Sequence, residues 1–173
     1  MTAPYCQGDL DGLCGVYAVV NAVDCLCGPL AKADAQRLFK TILQHLEAKT
    51  SLAQRCTNGL TLAEMTGILN AVICKSYPII RYKPFHRQPS IDKAQYLQRL
   101  KDFLQQPHSI VLIGLSGYHK HWTLIHRMTD KTLMIHDSGS IKTLAHRHCS
   151  MMTDTPLLRH WLRPSHTYFL TRR

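Results

Sequence analysis

The chain has 173 residues, a hydrophobic fraction of 45% and a formal net charge of +10 at pH 7. That length suits one domain over residues 1–173, and that composition excludes a disordered or low-complexity chain. No stretch reaches the roughly 20 apolar residues of a membrane span, and Met1 to Gln7 lacks the basic-then-apolar pattern of a signal peptide, so a cytoplasmic protein is expected.

In chain order, Gln7-Gly8-Asp9-Leu10-Asp11-Gly12-Leu13 reads as a loop that delivers Cys14 to an apolar run, and Val16 to Leu26 reads as a helix. A cysteine at a helix N-terminus feels the positive end of the macrodipole, which favours the nucleophilic thiolate. Leu30 to Ala48 places Ala35, Leu38, Phe39, Ile42, Leu43 and Leu46 at helical spacing. Lys49 to Gly59 reads as a polar break. Thr61-Leu62-Ala63-Glu64 has the form of a capping box and opens a helix to about Cys74. Pro78 to Lys83 is a short strand, and Asp92 caps a helix with Tyr96, Leu97, Leu100, Phe103 and Leu104 as its apolar stripe, stopped by Pro107. The period then changes. Ser109 to Leu115 is a buried-strand run, His121 to Arg127 and Thr132 to Asp137 form an antiparallel hairpin, and His166 to Thr171 is a last strand. Helices followed by an antiparallel sheet predict an α+β fold.

Seven cysteines, an odd number without a CxxC pair, point to a reduced chain rather than a disulfide framework. The basic charge favours an acidic partner. Its Lys and Arg residues are dispersed, however, with Arg81/Lys83/Arg87 and Arg159, Arg163, Arg172 and Arg173 as the densest groupings. Without a basic block or a basic–aromatic ladder, nucleic acid is not favoured as the primary partner.

Nucleophilic cysteine catalysis needs a base near sulfur, a group orienting that base, and donors for the oxyanion. Among eleven histidines, His121 stands at the junction of a glycine-containing loop and the strand Trp122-Thr123-Leu124-Ile125. Asp137 ends the neighbouring strand, so a hairpin brings the two together as imidazole and orienting carboxylate. His119 points the same way as His121 in an extended segment and is the rival base. His119 and His121 could instead ligate a metal, but no carboxylate or CxxC completes a zinc set. Trp122 reads as packing, or as a shield for the imidazole, and Asp9 and Asp11 read as loop acids.

The set Gln7…Cys14-Gly15…His121-Trp122-Thr123-Leu124-Ile125…Asp137-Ser138 resembles the papain-like cysteine peptidases, closest in style to the bacterial double-glycine leader peptidases. The resemblance implies a helical lobe, opened by the catalytic cysteine helix, packed on an antiparallel sheet. It implies Cys14 as nucleophile, His121 as base and acid, Asp137 as its orienting partner, and the Gln7 amide with the Cys14 N–H as oxyanion donors. Gln7 lies seven positions before Cys14, one more than the family's usual interval, and Gly15 replaces the tryptophan of the narrow papain subfamily. The expected activity is hydrolysis of a peptide or isopeptide bond in a protein or peptide substrate, without a cofactor, and the net charge points to an acidic substrate. Alternatives are a transglutaminase-like acyltransferase, a delivered effector amidase, and a basic binding module whose cysteine only packs.

Overall fold

The computed structural model describes residues 2–173 except 87, 89, 119, 153 and 155–157. Helix α1, Cys14–Cys27, is apolar and small-residued on almost every side, and eleven of its residues are buried, as befits a helix at the centre of a fold. One side lies on the sheet and another on α2, Lys32–Glu47. Helix α2 buries only Ala35, Leu38, Ile42 and Leu46, the stripe its spacing predicts. Gly28 turns the chain out of α1 at φ 101°, a conformation that costs other residues a steric penalty.

The polar stretch after α2 contains a helix, α3 (Leu52–Asn58), capped by Ser51. None of its residues is fully buried, so it carries no apolar periodicity to betray it. Its role is local: the Gly12 N–H donates to the Cys56 carbonyl at 2.5 Å, tying the loop before Cys14 to this helix. A Cβ at Gly12 would stand 2.9 Å from that carbonyl oxygen, so the close approach requires glycine.

The capping box forms as expected. The Thr61 hydroxyl accepts from the Glu64 N–H at 3.3 Å, and the Glu64 carboxylate accepts from the Thr61 N–H at 2.8 Å. Helix α4 runs over Leu62–Ile68, widens into a π turn at Leu69–Ile73 and closes with Cys74–Ser76. Helix α5, Lys93–Leu104, is capped by the Asp92 side chain and buries Tyr96, Leu100 and Phe103.

The strands are β1 (Ile79–Tyr82), β2 (Ser109–Gly117), β3 (His121–Met128), β4 (Thr132–His136), β5 (Thr143–Ala145), β6 (Cys149–Met151) and β7 (His160–Arg172). They form one sheet in the order β1-β7-β2-β3-β4-β5. Every pairing is antiparallel except the short parallel contact of β6 with β7. The α+β expectation therefore holds, with two strands beyond those predicted. Strand β7 begins well before His166, because its first half mixes Arg, Pro, Ser and His and shows no alternation.

Opposite faces of the sheet carry separate cores. Ile110, Leu112, Trp122, Leu124, Tyr168 and Leu170 face α1, α2 and α4. Val111, Ile113, Ile125, Leu133 and Phe169 face α5. Strand β2 is thus covered on both sides, which is why it reads as a continuous apolar run. No helix among the described residues is long and apolar enough to cross a membrane.

Thr61→Ala removes one half of the capping box, and the unfolding free energy should fall by about 1 kcal/mol. Urea unfolding checks this through a lower midpoint at unchanged slope.

Candidate active site

Cys14 is the first residue of α1 and is buried. The N-cap residue, Leu13, has no side-chain acceptor, so the first N–H groups of the helix are not consumed by a cap. The loop before it is held by Asp11, whose carboxylate accepts from the Gly8 and Leu13 N–H groups at 2.9 Å each. Asp11 is thus a loop acid, and its work is to fix the approach to Cys14.

Strand β3 supplies the facing groups. The Trp122 backbone N–H donates to the Cys14 sulfur at 3.5 Å. The neighbouring residue, His121, carries the imidazole whose charged form Cys14 favours. His121 Nε2 lies 2.5 Å from Asp137 Oδ1, which leaves Nδ1 as the ring nitrogen for sulfur. The hairpin register explains the last contact. Leu124 pairs with His136, so the start of β3 lies beside the residue that follows β4. The other Asp137 oxygen accepts from the N–H groups of Gly139 at 3.0 Å and Ile141 at 3.3 Å.

Electrostatics separate His121 from the other histidines. Burial works to lower its pKa, but hydrogen bonds and charge from Asp137 and Cys14 outweigh burial and raise it to about 9. Burial dominates at His45, His126, His136, His146 and His166, and all five are pushed down. Asp137 is the complement. Burial would raise it, yet the hydrogen bond and charge of His121, with help from the Gly139 N–H, hold it below its ordinary value. At pH 7 the pair is therefore an imidazolium and a carboxylate, shielded from solvent on both sides.

Gln7 sits on the far side of the loop. Its N–H donates to the Ser138 carbonyl at 3.0 Å, and its Oε1 accepts from the Ser138 hydroxyl at 3.1 Å. Its Nε2 donates to the Asp11 carbonyl at 3.3 Å. Gln7 thus joins the Cys14 loop to the Asp137 loop. His119, the rival base, lies outside the described residues.

Trp122 packs as expected, with its indole N–H donating to the Leu60 carbonyl at 3.0 Å. Sequence reasoning overlooked two things. One is the Trp122 backbone N–H on the sulfur, a main-chain contact with no residue-type signal. The other is the clasp of Ser138 on Gln7, which joins residues 131 positions apart.

Neither a family model nor a curated protein matches this chain. Among solved structures, it superposes over its full length on the full length of the peptidase domain of Streptococcus ComA, a bi-functional ABC transporter involved in a quorum sensing pathway. The TM-score is 0.55 and the identity 12%. The two share a fold, a papain-like α+β arrangement of helices against an antiparallel sheet.

The two pKa shifts set a pH window for stability. His121, raised from 6.5 to about 9, contributes fully below about pH 6.5 and loses that contribution as pH climbs through about 9. Asp137, lowered from 3.8, contributes above that value and loses its part as pH falls through its folded pKa. Asp137→Asn should therefore destabilise the protein most between about pH 4 and 6.5, and the gap should narrow as pH climbs through about 9. Urea titrations of both proteins across that range check it.

Proposed function

We propose that the chain is a cysteine hydrolase that cleaves an amide bond, peptide or isopeptide, through a thioester intermediate. The observation that carries this is one imidazole paired with the Asp137 carboxylate, on the residue next to the Trp122 N–H that meets the Cys14 sulfur at the start of α1. The shared fold with a peptidase domain supports it.

The sulfur attacks the amide carbonyl carbon, and the carbonyl electrons move to oxygen. The Cys14 N–H and the Gln7 side-chain amide are the oxyanion donors in this scheme. As the tetrahedral species collapses, the C–N bond breaks and the His121 imidazolium gives its proton to the departing amine. Water then adds to the thioester while His121 takes one of its protons. The C–S bond breaks, the acid leaves, and the proton on His121 is the counter-charge of the released sulfur. Asp137 keeps Nδ1 of the ring aimed at sulfur throughout and stabilises the imidazolium, as the carboxylate does in other triads. A protein or peptide is the substrate class this chemistry serves.

Cys14→Ala should abolish hydrolysis of a quenched fluorescent peptide library with no change in circular dichroism. Gln7→Ala should lower kcat by about two orders of magnitude with little effect on KM. Iodoacetamide with peptide mapping tests the nucleophile without a substrate. Cys14 should alkylate first, and Cys25 and Cys149 last, since burial pushes their thiols up to about 12 and about 11. Uniform slow alkylation of all seven cysteines would remove Cys14 as nucleophile.

A further inference from the structure

Strand β7 leaves regular pairing at one place. Ile113 pairs with Thr167 and Leu115 pairs with Leu162, so Gly114 alone stands opposite the four residues Arg163-Pro164-Ser165-His166. A bulge of this kind re-aims side chains and accommodates proline, which cannot donate to a ladder. The packing is close at Gly114: a Cβ there would lie 3.0 Å from the His166 Cβ and 3.1 Å from the Trp122 ring.

The bulge reaches toward the site. His166 stacks on the Trp122 indole with ring centroids 5.6 Å apart, and the Trp122 N–H is the group 3.5 Å from the Cys14 sulfur. Arg163 turns onto β2 and donates Nη1 to the Ser116 hydroxyl at 3.3 Å. Gly114 pairs with Trp122, and Ser116 lies two residues on, so all three share one face of the sheet. Arg163 therefore sits on the face that carries Trp122, at the end where His121 begins β3.

Among the described residues this guanidinium has no carboxylate partner. Of the four ion pairs among the described residues, Arg55–Glu64 and His121–Asp137 are the shielded ones, and neither Arg163 nor Lys83 belongs to any. Arg163 Nε is buried without an acceptor, and burial works against its charge. Lys83 lies over the Tyr168 ring at 5.1 Å, on the same side of the sheet. Burial, Arg163 and Lys83 together push the His166 pKa down to about 4, so the ring that stacks on Trp122 is neutral at pH 7. Burying part of an unpaired guanidinium is costly. Packing alone would be served as well by an apolar side chain.

We infer that the β7 bulge is a carboxylate-binding subsite beside the Cys14 site, in which Arg163, steadied by Ser116 and backed by Lys83, takes an acidic side chain or a free C-terminal carboxylate of the substrate. The planar guanidinium fork matches a carboxylate in two parallel hydrogen bonds, which a lysine cannot copy. The subsite deepens the proposed hydrolase and rests on Cys14 as its nucleophile. It gives a location to the acidic preference suggested by the net charge.

The test uses the full chain with Cys14→Ala, so that binding is read apart from cleavage. The probe is a peptide array in matched pairs: Asp against Asn, Glu against Gln, and a free against an amidated C-terminus. Acidic members should bind about tenfold more tightly than their partners. That preference should fall to less than about twofold on adding Arg163→Gln, remain in part with Arg163→Lys, and survive the exposed control Arg147→Gln. The side-chain pairs and the terminal pairs show which carboxylate is taken. Equal binding within every pair, or a preference that persists in Arg163→Gln with an unchanged melting curve, overturns the subsite. Alkylation of Cys14 in the Arg163→Gln protein with Cys14 intact reports separately on the nucleophile. Loss of the acidic preference with normal alkylation removes nothing from the hydrolase, and absent alkylation in both proteins removes the hydrolase without touching the binding result.

Discussion

The arrangement depends on the seating of α1 against β3. Helix α1 is buried almost all round, so its axial position is set by packing on the sheet on one side and α2 on the other. That packing brings the helix N-terminus to the start of β3, where the Trp122 N–H meets the Cys14 sulfur. A slide of one residue in the β3–β4 register would turn Asp137 away from His121, since side chains alternate between faces. Burial on both faces of the central strands fixes that register.

Charge is distributed unevenly around this frame. The site holds one shielded ion pair, His121–Asp137, in which each partner shifts the other toward its charged form against the pull of burial. Nearby, the bulge of β7 holds a half-buried guanidinium that donates to Ser116 but has no carboxylate partner among the described residues. The first arrangement satisfies itself and organises a proton donor and acceptor. The second is incomplete, which is the basis for reading it as a place where a substrate carboxylate completes the set.

Several supporting residues act through the main chain. Asp11 ties down the loop before Cys14, Cys56 on α3 accepts from Gly12, and Ser138 clasps Gln7 on both its backbone and its side chain. These contacts join three segments distant in sequence around one sulfur. Gln7 is therefore placed by Ser138 as much as by its spacing from Cys14, and an additional residue in the loop is absorbed between two anchored points.

Much of this was legible in the chain of residues alone. The helical stripe of α2, the capping box at Thr61, the Asp92 cap and the hairpin ending at Asp137 each rest on local rules, and each formed. Helix α3 was hidden because it buries nothing fully, and the first half of β7 because its bulge erases the alternation that marks a strand. The sequence by itself determined the α+β class and the meeting of His121 with Asp137, since periodicity and strand adjacency are local properties. Only the tertiary structure decided that Cys14 meets that pair, that Ser138 holds Gln7, and that Arg163 comes to the same face of the sheet as Trp122. Those contacts join residues from about 50 to 130 positions apart, and such long-range partners are chosen by how helices and strands pack rather than by any spacing along the chain.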